Sequence, residues 1–225
     1  MSIRYQIKLE TGKTLNFDIY DKRSADLSEM STHSEVPAWV KLEYHQCPIC
    51  PFDTKETKFC PAAFELQDVI AQCSDLISYE KIELIRKSEN GSVIMKTDMQ
   101  TALFAVIGER TISSACKVMN TRHWTLEYYS IIMTAENLFY RALSSYLVQQ
   151  FLLARSGQRA DFQLNDYETF VNEIVCVFGS LLERFRQVSK QDASNNAVVR
   201  LVMIGRLLQK RREKWISELK AKAGV

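Results

Sequence analysis

Residues 37–62 read PAWVKLEYHQCPICPFDTKETKFCPA, and this stretch separates a β-hairpin pattern from the first helical pattern of the chain. It contains all four prolines and three of the six cysteines, and each of these cysteines is followed directly by proline. Because proline fixes φ and lacks a backbone N–H, the stretch is unsuited to a helix interior or a central strand. We therefore predict a stiff loop that presents the thiols of Cys47, Cys50 and Cys60 as a chemical site.

Alternating apolar and polar residues predict one β-hairpin before this loop and another after it. The first pairs residues 3–9 with residues 15–19. The second pairs residues 79–86 with residues 92–96 around Asn-Gly, a dipeptide that favours tight hairpin turns. The two hairpins are expected to form a single four-stranded antiparallel sheet.

Apolar residues at helical spacing predict five helices, and Pro61 suits the first turn of the first one. The helix around residues 128–155 is apolar on most sides, which predicts that it is the central helix of a bundle. The predicted helices cover residues 61–77, 98–116, 128–155, 166–189 and 194–222.

These patterns predict the α+β class, with a small antiparallel sheet of two hairpins packed with a helical bundle that makes up most of the C-terminal half. We expect one domain over residues 1–225. Residues 1–97 would supply the sheet, the cysteine–proline loop and one helix, and residues 98–225 the helical part.

The composition is that of an ordinary soluble protein, with 225 residues, 46% hydrophobic and 25% charged. The first residues lack the apolar stretch of a secretory signal, and no apolar run reaches the length of a membrane span. We therefore expect a cytoplasmic protein without a membrane segment. In a reducing cytosol, cysteines more often bind metals or act as catalytic thiols than form structural disulfides.

The pair Cys47 and Cys50 has the C-x-x-C spacing that lets two thiolates reach one tetrahedral metal ion. Cys60 is the third candidate ligand, and the fourth is Cys116, with His45 and His123 as alternates. A structural zinc site needs four nitrogen or sulfur ligands, and this set supplies them. The same residues would alternatively hold an iron–sulfur cluster.

A thiol-redox role for the same cysteines is a competing hypothesis, because Cys-Pro-x-Cys resembles the motif of thiol oxidoreductases. Those proteins place the pair at the start of a helix, whereas the residues after Pro51 show no helical pattern. Pro51 also excludes the positive φ that often follows the second cysteine of a metal-binding turn, so the local geometry must differ. Cys73 and Cys176 lie on apolar helical stripes and are predicted to be core residues.

Several segments together resemble a family of uncharacterised bacterial proteins with CPxCP and CPxA cysteine–proline pairs. The resemblance rests on residues 47–51, 60–63, 74–79, 100, 114–116, 122–123, 140–147 and 192–197, and it covers most of the chain. This chain departs from the family pattern at Cys116-Lys117 and His123-Trp124. The family has no assigned function, so the resemblance implies a shared cysteine site and supplies no activity.

The sequence lacks the G-x-S-x-G, phosphate-loop and H-E-x-x-H motifs, and three histidines leave few groups for acid–base chemistry. These features favour a metal-binding regulatory or protein-interaction module over an enzyme. A protein partner or a homo-oligomer is compatible with this sequence. The basic run from Lys210 to Lys214 favours a solvated helix face, with nucleic-acid binding as the alternative.

Overall fold

The computed structural model describes residues 2–20, 36–122, 125 and 134–224, and four strands within them form one antiparallel sheet. The strands are β1 (Ser2–Leu9), β2 (Thr14–Tyr20), β3 (Lys81–Ser88) and β4 (Gly91–Asp98). Both predicted hairpins are confirmed. Strand β1 also pairs with β3, which gives the strand order β2-β1-β3-β4.

Seven α-helices lie in the described part of the chain, most of them in its C-terminal half, and the fold is therefore α+β as predicted. A short 3-10 helix, Ala38–Val40, precedes them in the cysteine–proline loop. The helices are α1 (Pro61–Phe64), α2 (Gln67–Cys73), α3 (Met99–Ser113), α4 (Ala135–Arg155), α5 (Tyr167–Arg186), α6 (Ala193–Lys210) and α7 (Arg212–Ala223).

Helix α3 packs against the buried face of the sheet. Asp98 begins the helix, since its carboxylate accepts a hydrogen bond from the Thr101 amide at 3.0 Å. Further along, Glu109 is completely buried and accepts hydrogen bonds from the Tyr5 hydroxyl at 2.7 Å and from Arg86 Nε at 3.1 Å. These bonds tie α3 to strands β1 and β3, because a buried carboxylate needs such partners.

The prediction that the helix around residues 128–155 is central is wrong. Helix α4 buries only four of its 21 residues, whereas α3 buries ten of its 15. One side of α4 packs through Phe139 and Leu143, and large apolar side chains such as Phe151 and Leu152 remain exposed. Apolar residues on most sides of α4 therefore did not make it the most buried helix, which is α3. Residues 128–133 of the predicted helix lie outside the described residues.

Two predicted helices are each divided by a turn. The helix expected over residues 61–77 becomes α1 and α2, because the chain turns at Leu66 and buries that side chain completely. The helix expected over residues 194–222 becomes α6 and α7, separated at Arg211. The second turn lets Trp215 pack on Phe139 of α4, with ring centroids 4.9 Å apart.

The buried apolar side chains form two clusters. The larger lies between the sheet and α3, and it extends to α2, α5 and α6. The smaller joins α4, α5, α6 and α7 around Phe139, Tyr146, Tyr167 and Trp215. Among the described residues, no helix is both long and apolar enough to cross a membrane.

Candidate metal centre

Four cysteines from three parts of the fold line one small cavity of about 20 Å³. Cys47 and Cys50 come from the cysteine–proline loop, Cys60 directly precedes α1, and Cys116 follows α3. The structure therefore brings together the four cysteines that the sequence analysis selected as ligands. His45 also lines this cavity, while His123 lies outside the described residues.

Backbone pairing within the loop places Cys60 near the C-x-x-C turn. The Cys60 amide donates to the Val40 carbonyl at 2.9 Å, and Lys41 forms a β-bridge with Phe59. The C-x-x-C turn itself is closed by the Cys50 amide, which donates to the Cys47 carbonyl at 2.9 Å. These bonds fold the proline-stiffened stretch back on itself, so that its two ends meet.

The turn geometry differs from the glycine-containing kind, as Pro51 led us to expect. The positive φ of this segment, 52°, occurs at His45, two residues before the first cysteine. His45 is exposed, and its ring packs edge-on against Tyr44 at a centroid distance of 4.9 Å. The strained backbone therefore precedes the thiol pair instead of following it.

Backbone amides two or three residues ahead favour the anionic form of three of the thiols. Cys50 has the Phe52 amide, Cys60 has the amides of residues 62 and 63, and Cys116 has those of residues 118 and 119. Amide donors lower the pKa of a thiol because they favour its anionic form. They also orient a sulfur atom for a metal, as outer-shell hydrogen bonds do in metal sites.

The four thiols differ in their readiness to ionise. The neighbouring Cys47 thiol lowers the pKa of Cys50 to about 6, and the proximity of Cys50, together with burial, raises the pKa of Cys47. Burial raises the pKa of Cys60 and raises that of Cys116 to about 11. Of the four thiols, Cys50 is therefore the one whose anionic form is favoured near neutral pH.

Arg184 of α5 lines the same cavity and is only 1% exposed. Its guanidinium donates to the backbone carbonyls of Trp39, Lys41 and Leu42, at 2.5, 2.7 and 3.1 Å. Within the described part of the chain it forms no ion pair with a carboxylate. Burial lowers the pKa of Arg184, and the neighbouring sulfurs of the cavity oppose that shift when they are anionic.

Sequence reasoning missed Arg184. The available signal was an arginine on an otherwise apolar helix face, between the buried Leu181 and Phe185. A charged residue at such a position is rarely buried unless an anion or several acceptors compensate it. The pattern predicts a buried cation, although the sequence does not indicate that the cysteines would be its neighbours.

The described residues contain no group of three or more His, Cys, Asp or Glu side chains already spaced to hold a metal ion. Convergence of four thiolates on one ion therefore requires their side chains to turn within the cavity that they line.

Cys73 and Cys176 lie away from this cavity. Cys73 is 1% exposed and belongs to the larger apolar cluster, where burial raises its pKa to about 12. Cys176 is half-buried on α5, and neither residue is among those that line the cavity. The position of Cys73 fits the predicted core role of a small apolar side chain, whereas Cys176 belongs to neither apolar cluster and its core role stays a prediction.

The basic residues of the last helix are partly neutralised by carboxylates. Arg212 pairs with Glu213 at 2.8 Å, and Lys214 lies 3.6 Å from Glu218. Such pairs on an exposed face interrupt a positive stripe and weaken its attraction for phosphates.

Comparison with known proteins places the chain in a family and gives no activity. No curated protein and no solved structure matches it. A family model described as "Domain of unknown function (DUF6901)" matches residues 3–223. The chain therefore belongs to this family, which confirms the resemblance to an uncharacterised family.

Proposed function

We propose that the protein binds one zinc ion through Cys47, Cys50, Cys60 and Cys116, as the structural metal of a regulatory or protein-interaction module. The observation that carries this proposal is the buried Arg184 beside the thiols. Three backbone carbonyls accept hydrogen bonds from this cation, but they carry no net charge and no carboxylate in the described part of the chain pairs with it, so a negative charge nearby would stabilise it further. Four thiolates around a divalent ion carry a net charge of about −2 and would provide that charge.

The size of the cavity favours a single ion over an iron–sulfur cluster. A volume of about 20 Å³ is comparable to the space that one buried water molecule needs, roughly 10–15 Å³ or more. A cluster of several iron and sulfide ions would have to push the lining residues apart. Four protein ligands also leave no open position for substrate, which is typical of structural zinc sites.

Elemental analysis of the purified protein tests the proposal directly. We expect about one zinc per chain and loss of zinc in Cys60→Ala and Cys116→Ala. Cys73→Ala is the matched control, because it removes a buried thiol outside the cavity and should retain full zinc content. Protein that is metal-free as purified and takes up no added zinc would contradict the proposal.

Thiol–disulfide exchange is a second candidate function, favoured by the lowered pKa of Cys50 and by the Cys47 thiol that lines the same cavity. Their two thiols would form a disulfide and pass two electrons and two protons to a substrate disulfide, which becomes two thiols. The two functions differ in their need for Cys60 and Cys116. Exchange with oxidised glutathione that survives Cys116→Ala would favour the redox function, and zinc loss in the same variant would favour the metal site.

A further inference from the structure

A second cavity, of about 150 Å³, lies among α3, α4, α5 and α6, apart from the cysteine site. Its lining is largely apolar, and the charged side chains that reach it are Arg122 and Arg141. A cavity of this volume is large enough to bind a molecule of the size of benzene. We propose that it is a binding site for a small monocarboxylate with an apolar body, such as an aromatic or short-chain acid.

The absence of a side chain at Gly108 of α3 leaves part of this cavity unfilled. A Cβ built at Gly108 would meet only Leu201 Cδ2, at 3.6 Å, which is an ordinary contact. Alanine would therefore fit at this position, and it would favour the helix by about 1 kcal/mol over glycine. Steric packing within the protein does not account for the glycine, whereas a ligand lying against the helix does.

Arg122 supplies a hydrogen-bond donor that the protein leaves unused. The residue is 6% exposed, and its Nε has no hydrogen-bond partner in the described part of the chain. Its Nη2 donates to Glu173 Oε2 at 2.6 Å and to the Phe170 carbonyl at 3.1 Å, and its guanidinium lies 4.4 Å from the centre of the Phe170 ring. The guanidinium is therefore held in place while one buried N–H lacks an acceptor, which is unfavourable unless a ligand supplies it.

The charges favour an acid over a neutral acceptor. The Arg122 guanidinium lines the cavity, and Glu173, which pairs with it, has a side chain that is 42% exposed. A carboxylate at Arg122 Nε would add a charge-assisted hydrogen bond, which is stronger than a neutral one. The apolar walls would accommodate the rest of the ligand.

The test is a titration of the purified full-length protein with benzoate, followed by thermal shift and calorimetry, with toluene as the neutral probe. Benzoate should raise the melting temperature, and the stabilisation should increase with the logarithm of its concentration once that exceeds the dissociation constant. It should bind about tenfold or more tightly than toluene, because a hydrogen bond to a charged group contributes on the order of a factor of ten or more. Equal binding of the two probes, or no binding of benzoate, would overturn the proposal.

Matched variants locate the site. Gly108→Leu fills the cavity and should weaken benzoate binding about tenfold or more, as loss of the binding volume predicts. Gly179→Leu is the control, since it is also a helix glycine, a Cβ there meets nothing within 4 Å, and it lies outside the cavity lining. Benzoate affinity that is unchanged in Gly108→Leu, or lost equally in both variants, would contradict the assignment.

Arg122→Lys tests the donor. It keeps a positive charge near Glu173 but removes the Nε–H, so benzoate should lose its advantage over toluene while toluene binding is retained. Toluene binding also reports whether this variant has folded with its cavity intact. A benzoate preference that persists in Arg122→Lys would show that Arg122 is not the recognition group.

Discussion

Zinc binding at the cysteine site should release three protons per ion near pH 7.5. Cys50, with a pKa of about 6, is already ionised at that pH. Cys47, Cys60 and Cys116 have raised pKa values and are neutral, the last with a pKa of about 11. Because zinc binds thiolates, these three thiols must lose their protons on binding.

The pH dependence follows from that count. Three released protons make the apparent zinc affinity rise about 1000-fold for each pH unit between roughly 6.5 and 8.5, or about 4 kcal/mol per unit. The sign is fixed, because low pH keeps the thiols protonated and opposes binding. Below pH 6 the Cys50 thiolate is also protonated, and the dependence becomes steeper.

Calorimetric titration of zinc-free protein in two buffers of different ionisation enthalpy measures the proton count. The matched variants are Cys50→Ala and Cys116→Ala, each of which removes one ligand. Cys50→Ala should bind zinc more weakly and still release three protons, whereas Cys116→Ala should release two. Release of one proton or none by the unmodified protein would refute the reasoning, since it would mean that the ligands are not these buried thiols.

Three further outcomes concern stability. Burial raises the pKa of Cys116 to about 11 and that of Cys73 to about 12, so the fold accommodates only the neutral form of these thiols. The free energy of unfolding of the zinc-free protein should therefore fall as the pH rises from the ordinary thiol pKa, about 8.5, to 11. Urea denaturation at pH 7, 9 and 10 checks this, and constant stability would contradict it. Trp215→Ala should cost about 3 kcal/mol or more, as for other large core truncations, whereas the exposed Phe151→Ala should change little. Asp98→Ala should cost about 1 kcal/mol through loss of the α3 cap, measured by the same denaturation.

The sequence predicted the sheet well because its signal is local. Alternation over seven or eight residues marks each strand, and the Asn-Gly turn at Gly91 fixes the second hairpin. The pairing of β1 with β3 joins segments that are far apart in the chain. The sequence predicted that the two hairpins share one sheet, but it did not predict which of their strands would be neighbours.

The helical part was harder to predict because burial depends on which neighbours a helix meets. Helix α4 has apolar residues on most sides, but it lies at the edge of the bundle, and α3 takes the central place. The turns at Leu66 and Arg211 occur without proline or glycine, so no local signal marked them. In both cases tertiary packing outweighed the intrinsic preference to continue the helix.

The cysteine site combines a local signal with long-range contacts. The spacing of Cys47, Cys50 and Cys60 is visible in the sequence. The position of Cys116 in the same cavity depends on how α3, which precedes it, packs in the fold. Arg184 was not predicted, because its three carbonyl acceptors belong to a loop about 140 residues earlier in the chain.

Arg184 and the proposed zinc ion have different structural roles. Arg184 binds the carbonyls of residues 39, 41 and 42, so it holds the start of the loop on α5 whether or not a metal is present. The cysteines lie further along the loop and after α3, where a metal would join segments that hydrogen bonds alone connect weakly. The positive charge of Arg184 also attracts negative charge in the same cavity, so it favours the thiolate form of the cysteines over the thiol form. In return, each thiolate that forms lowers the free-energy cost of burying the Arg184 cation. If zinc binds as proposed, loop anchoring and metal affinity are therefore coupled through the Arg184 side chain.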